Sequence, residues 1–215
     1  ERVGDHYLVN GSKMFITSGM RADWLTCAVR TGGPGASGVS LLLIDMETPG
    51  VSCTRLDKMG WRCSDTAAIH FEDVKVPAEN LIGPENGGFI GIMRNFNSER
   101  LGMAMGCCAY ARVCLKEAVE WAQQRETFGK PLISRQSVQN KLADMARRID
   151  VARVYSRNVI ERQLAGDADL IAEVCFAKNT AVEAGEWVAN QAVQLFGGMG
   201  YMAECEIERQ YRDMR

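Results

Sequence analysis

The residues that break regular structure are unevenly spread along this chain. Fourteen of its 21 glycines and four of its five prolines fall at or before Gly102. The first part must therefore turn often, whereas the second can run in long uninterrupted helices. A region of short strands followed by a helical bundle meets both demands.

Hydrophobic periodicity agrees with that division. Leu25, Cys27 and Val29 alternate with Thr26, Ala28 and Arg30, as in a strand with one buried face. Residues 40–45 form a short apolar run, which predicts a strand buried on both faces. Residues 68–71 and 74–76 give two more runs, with Glu72-Asp73 breaking the phase as a bulge or turn does. Turn pairs such as Asn10-Gly11, Ser18-Gly19 and Pro49-Gly50 separate them, so an antiparallel barrel or sandwich is expected over residues 1–82. Residues 32–38 (GGPGASG) lack the GK[ST] ending of a phosphate loop and read as a flexible hairpin loop. From residue 83 the period changes. Val138, Leu142, Met145, Ile149, Ala152, Ser156 and Val159 step alternately by four and three. Leu170, Val174, Ala177, Ala181, Ala184 and Val188 do the same, as do Cys107, Ala111, Cys114, Ala118 and Trp121. Three such stripes predict an up-down bundle over residues 83–215, with a fourth helix opening near Glu204 and cut short. The fold class is thus α+β and multi-domain.

Charge and rare residues narrow the chemistry. Lys+Arg 25 against Asp+Glu 27 leaves −2, which argues against a nucleic-acid binder. No apolar run is long enough to span a bilayer, and residues 1–20 carry no secretory signal. Two histidines leave little room for His-ligated metals or His-based triads. The eight cysteines form no CxxC pair, so small buried hydrophobes in a reducing compartment are expected. The chain opens on Glu1 and reads as a cut through a longer protein.

Four segments could carry chemistry. Glu99, in Asn97-Ser98-Glu99-Arg100, is placed near the start of the first long helix after the glycine-rich stretch 83–91. Desolvation there would suit a general base; pairing with Arg94 or Arg100 at the surface is the plainer reading. Arg125, with Thr127 and Phe128, suits a pyrophosphate, or else is an ordinary helix C-terminal arginine with Gly129 as the stop. Gln194-Leu195-Phe196-Gly197-Gly198 either lets backbone approach a ligand or makes a bent connection. Phe15-Ile16-Thr17 offers an aromatic ring and a hydroxyl, or is simply a strand entering a Ser-Gly turn.

In order, seven segments stand as KxFITxG at residues 13–19, KMGWxxSDTA at 58–67 and FEDVxVPxENxIG at 71–83; then ERL at 99–101, RxTFGKPL at 125–132, QLFGGMGY at 194–201 and ERxYRD at 208–213. This series resembles the acyl-CoA dehydrogenase family over essentially the whole chain. The resemblance implies the middle β-domain plus most of the C-terminal four-helix bundle. The N-terminal helical domain, the TEP and GSD segment before Glu1 and the end of the last helix are expected to lie outside. It implies FAD as cofactor and an acyl-CoA thioester as substrate, with electron-transfer flavoprotein or a similar acceptor. It places the protein in fatty-acid β-oxidation, in the cytoplasm or the mitochondrial matrix.

The same resemblance assigns residues. Phe15, Ile16 and Thr17 match the segment against the isoalloxazine ring, with Phe15 where the family often has Trp. Arg125, Thr127, Phe128, Gln136, Gln194, Leu195, Phe196, Gly197 and Gly198 match positions that hold the pyrophosphate and adenosine of a neighbouring subunit's FAD, which implies a homodimer or homotetramer. Glu99 matches the catalytic base of the isovaleryl- and long-chain-like minority, while most members carry that Glu near the C-terminus. Asn97 and Arg100 match positions near the substrate. Two alternatives stay open: a flavin oxidase or monooxygenase on the same fold, and a truncated module that only binds flavin or oligomerises.

Overall fold

The structure is a computed structural model and describes residues 1–167 and 169–215. Two compact units divide the chain, Glu1–Asn95 and Phe96–Arg215.

The first unit holds two antiparallel sheets. One runs in the order β1 (Arg2–Val3), β2 (His6–Thr17), β6 (Thr66–Pro77), β5 (Val51–Arg55); the other in the order β3 (Trp24–Arg30), β4 (Val39–Asp45), β7 (Leu81–Ile82). Tyr7 and Val9 of β2, Cys27 of β3, Leu42 and Ile44 of β4, and Ile69, Phe71, Val74 and Val76 of β6 share one hydrophobic core. The two sheets therefore pack face to face, as a sandwich does. The expected break at Glu72-Asp73 is a register shift opposite Val9 and Gly11 in one continuous β6, where Asp73 takes φ 50°. The apolar run at 40–45 is corrected: Ser40, Leu42 and Ile44 are buried, but Leu41, Leu43 and Asp45 only half so. One face meets the sandwich core, so the run is one-sided although residues 41–44 are all apolar. The loop at 32–38 joins β3 to β4 and closes over Arg30, which donates to the carbonyls of Gly33 (2.7 Å) and Gly35 (3.1 Å).

The first long helix, α1 (Gly88–Gln124), opens against the second sheet. Asn86 N–H donates to Ser40 Oγ at 2.7 Å, and the buried Tyr7 hydroxyl reaches Glu85 at 3.0 Å. A Cβ on Gly88 would lie 2.7 Å from the Ser40 carbonyl carbon, so only glycine permits this contact. Gly88 and Gly91 are thus helical residues and not part of a preceding loop, which moves Glu99 from the predicted helix start into the helix interior.

In the second unit α2 (Gln136–Leu164), α3 (Ile171–Phe196) and α4 (Glu206–Met214) join α1. The seven predicted seam residues of α2, Val138 to Val159, are its buried ones. The α3 stripe is buried as well. The α1 seam is corrected by a fraction of a turn: Leu101, Ala104, Cys108, Ala111, Cys114, Ala118 and Ala122 are buried, whereas Cys107 and Trp121 are half-buried. The joint core draws on all four helices, with Ala118 and Ala122 of α1 and Ala189 and Ala192 of α3 among its buried residues.

Candidate active site

In the first unit the strand end at Phe15 departs from regular geometry. The pairing of β2 with β6 skips between Lys13 and Ile16. Phe15 sits in that bulge at φ 60°, a left-handed conformation that a bulky side chain adopts only at a cost. Its ring is also 74% exposed, so core burial does not compensate. Strain of this kind, held in place by its surroundings, is typical of ligand-contacting positions. The surroundings are visible. Ile16 packs against the β core, and Thr17 pairs with Thr66 while staying exposed. Asp65 accepts from Met20 N–H at 2.8 Å through its carboxylate, faces Arg21 at 3.1 Å, and accepts from Ser18 N–H through its carbonyl. Asp65 is a supporting residue that the sequence reading passed over, although it lies within the SDT of the second motif. An exposed aromatic ring two residues from an exposed hydroxyl fits a planar heteroaromatic ring with a polar edge.

In the second unit Glu99 lies exposed on α1. Leu101 and Ala104 anchor the helix in the bundle through buried side chains. Arg100 donates to Asn97 Oδ1 at 3.3 Å and lies 5.6 Å over the Phe96 ring. Those contacts align Arg100 and Asn97 on the turn that carries Glu99.

The segment after α1 is a small hairpin. β8 (Glu126–Thr127) pairs with β9 (Lys130–Pro131), and Leu132 N–H donates to Arg125 O at 2.7 Å. Gly129, at φ 73°, belongs to the hairpin turn, so its reading as a helix stop is corrected: α1 ends at Gln124. The Arg125 guanidinium is exposed and has no ion pair or hydrogen bond among the described residues. Thr127 is engaged by Arg135, and Phe128 is 97% exposed. Gln136, also exposed, is the first residue of α2.

Trp121 links this hairpin to the end of α3. Its carbonyl accepts from Arg125 N–H at 2.8 Å, and its ring stacks on Phe196 with centroids 4.7 Å apart. Leu195 is buried in the bundle core, which leaves only its backbone for a ligand. Gln194 is exposed. Gly197 at φ 63° and Gly198 have open space where a Cβ would stand, whereas a Cβ on Gly200 would meet Val193 O at 2.7 Å. The glycines therefore divide: Gly200 serves packing, and Gly197-Gly198 presents bare backbone outward. A guanidinium unpaired among the described residues, an exposed aromatic ring and bare backbone N–H groups suit an adenosine diphosphate group.

Other chemistries find less support. All eight cysteines are free thiols. Burial pushes Cys114 up to about 12, so it carries no thiolate at neutral pH. Among the described residues no three His, Cys, Asp or Glu side chains gather as metal ligands would. No helix there is long and apolar enough to cross a membrane.

Known proteins match this arrangement. The profile of the acyl-CoA dehydrogenase middle domain matches residues 1–74, and that of the acyl-CoA dehydrogenase C-terminal domain matches residues 86–215. The mitochondrial isobutyryl-CoA dehydrogenase of Dictyostelium discoideum is 38% identical over 99% of this chain and 51% of its own length. A crystal structure from Mycobacterium smegmatis, described as that of an acyl-CoA dehydrogenase, has TM-score 0.98 and 67% identity over all of this chain and 56% of that one. A glutaryl-CoA dehydrogenase from the same organism, solved in complex with FADH2, has TM-score 0.89 and 25% identity over 99% of this chain and 54% of that one. The chain spans about half the length of the curated relatives it matches.

Proposed function

Because the chain belongs to the acyl-CoA dehydrogenase family, whose members depend on FAD, we propose that it supplies the base and part of the flavin site for α,β-dehydrogenation of an acyl-CoA thioester. The exposed Glu99 carboxylate, on a helix anchored by the buried Leu101 and Ala104, carries this reading. A carboxylate at the surface of a helix can take a proton from a substrate that covers it.

Each group then has one task. Glu99 removes the α-proton and holds it as the carboxylic acid. The C–H electron pair at the α-carbon becomes the new double bond as hydride leaves the β-carbon. The flavin, when bound, accepts that hydride. Asn97 and Arg100 orient the substrate beside Glu99. In the first unit, Phe15, Ile16 and Thr17 would hold the isoalloxazine, Phe15 through its exposed ring and Thr17 through its hydroxyl. In the second unit, Arg125 pairs with the pyrophosphate. Thr127, Phe128, Gln136, Gln194, Phe196 and the backbone of Leu195, Gly197 and Gly198 take the adenosine half. This second set serves the flavin of another copy, so the working form is a homodimer or homotetramer. Electron-transfer flavoprotein is the acceptor the family implies.

Anaerobic titration of the intact flavoprotein with acyl-CoA thioesters tests the proposal. Bleaching of the flavin absorbance with formation of 2-enoyl-CoA is the expected result. A flavin that stays oxidised across short, branched and long acyl chains would refute it. Rapid oxygen uptake with acyl-CoA would instead place the protein among oxidases.

A further inference from the structure

The hairpin after α1 turns through Phe128 at φ 52° and Gly129 at φ 73°. A two-residue turn with both central residues at positive φ is of type I′, and glycine, asparagine or aspartate ordinarily fills its first position. Phenylalanine there carries a steric penalty, since its Cβ crowds the backbone in the left-handed region. At 97% exposure the ring recovers nothing from burial. Something else holds it.

Arg135 is placed to do so. Its guanidinium lies 5.4 Å over the Phe128 ring, close enough for cation–π attraction. The same group donates from Nη2 to Thr127 O at 2.7 Å, and from Nη2 and Nε to Thr127 Oγ1 at 3.1 and 3.2 Å. One planar fork therefore fixes both the backbone and the side chain of the residue before the turn, and its charge stands within cation–π range of a ring that stays exposed. Arg135 is itself seated firmly: its carbonyl accepts from Val138 and Gln139 N–H at the start of α2. Ser134 Oγ donates to Pro131 O at 2.7 Å and closes the return strand.

We propose that Arg135 is a positioning residue that holds this hairpin in its ligand-binding form. It keeps Phe128 in the strained turn with its ring exposed, at the tip of a hairpin whose base carries Arg125, unpaired among the described residues. A planar heteroaromatic ring joined to a phosphate matches that pair, which in FAD is the adenosine diphosphate half. The ligand assignment rests on the flavin reading given above; the bracing of Phe128 by Arg135 does not.

Flavin binding to the intact apoprotein separates the two claims. Fluorescence titration with FAD and with FMN, which lacks the adenosine half, is compared for the wild type, Arg135→Met, Phe128→Gly and the double variant. Arg135→Met is expected to raise the FAD dissociation constant about tenfold, roughly the loss of one charge-assisted hydrogen bond, and to leave the FMN constant unchanged. The double variant should bind FAD no worse than Phe128→Gly alone. An unchanged FAD constant, an equal loss for FMN, or two losses that multiply would each overturn the proposal. A wild type that binds no FAD would instead remove the ligand assignment. The brace then stands or falls on thermal unfolding: Arg135→Met should lower Tm in the Phe128 background and much less in the Phe128→Gly background. Equal decreases in both would overturn it.

Discussion

Arg125 shows how much a single side chain can say about a ligand. Exposed arginines commonly find an acidic neighbour within a turn, as Arg147 and Arg148 do with Asp144 in α2. Arg125 has no such partner among the described residues, and a hydrogen bond from its own backbone to Trp121 holds it at the hairpin base. A guanidinium kept apart from carboxylates is available to a pyrophosphate at no cost of breaking a pair. Arg125→Ala should weaken FAD retention by about 1.5–3 kcal/mol, roughly a ten- to hundredfold rise in the dissociation constant. Equilibrium dialysis of the apoprotein with FAD checks this; an unchanged constant would remove the pyrophosphate role. Phe15 offers a second sign of function that its identity alone does not disclose. Its φ of 60° arises from the skipped pairing with β6, and no sequence pattern distinguishes that bulge from an ordinary strand end.

Long periodic helices are legible in the sequence itself. The α2 seam could be read residue by residue, because a stripe spaced by fours and threes has only one way to face a partner. The start of α1 could not. Gly88 and Gly91 look like loop residues, but Gly88 is helical because its missing Cβ lets the helix touch the backbone at Ser40. That contact is made by residues far apart in sequence, so local signals did not reveal it. Gly88→Ala should therefore destabilise the first unit by about 1–3 kcal/mol through overpacking, although alanine is the better helix former. Thermal unfolding reports the sign, and a stabilised variant would contradict the packing role. The hairpin at 126–131 was also hidden, since strands of two residues have no period. The unbroken apolar stretch at 41–44 gave no sign of its single buried face.

The whole molecule combines two units of different construction, each carrying its own share of the proposed chemistry. The sandwich contributes a strained aromatic ring and a hydroxyl at Phe15 and Thr17. The bundle contributes a carboxylate at Glu99 and an outward-facing donor set around Arg125, Phe128 and Gly197-Gly198. The roles of these residues were suggested by seven motifs in order. Their physical condition was legible only in the fold: Leu195 turned inward, Thr127 held by Arg135, Glu99 exposed in the helix interior. The central claim is that Glu99 is the base. Glu99→Gln keeps size and one acceptor oxygen but removes the proton-accepting carboxylate. In the intact flavoprotein it should lower the rate of flavin bleaching by acyl-CoA about 10²–10⁴-fold while FAD occupancy stays as in the wild type. A Glu99→Gln variant that bleaches at the wild-type rate, with its flavin bound, would contradict the account.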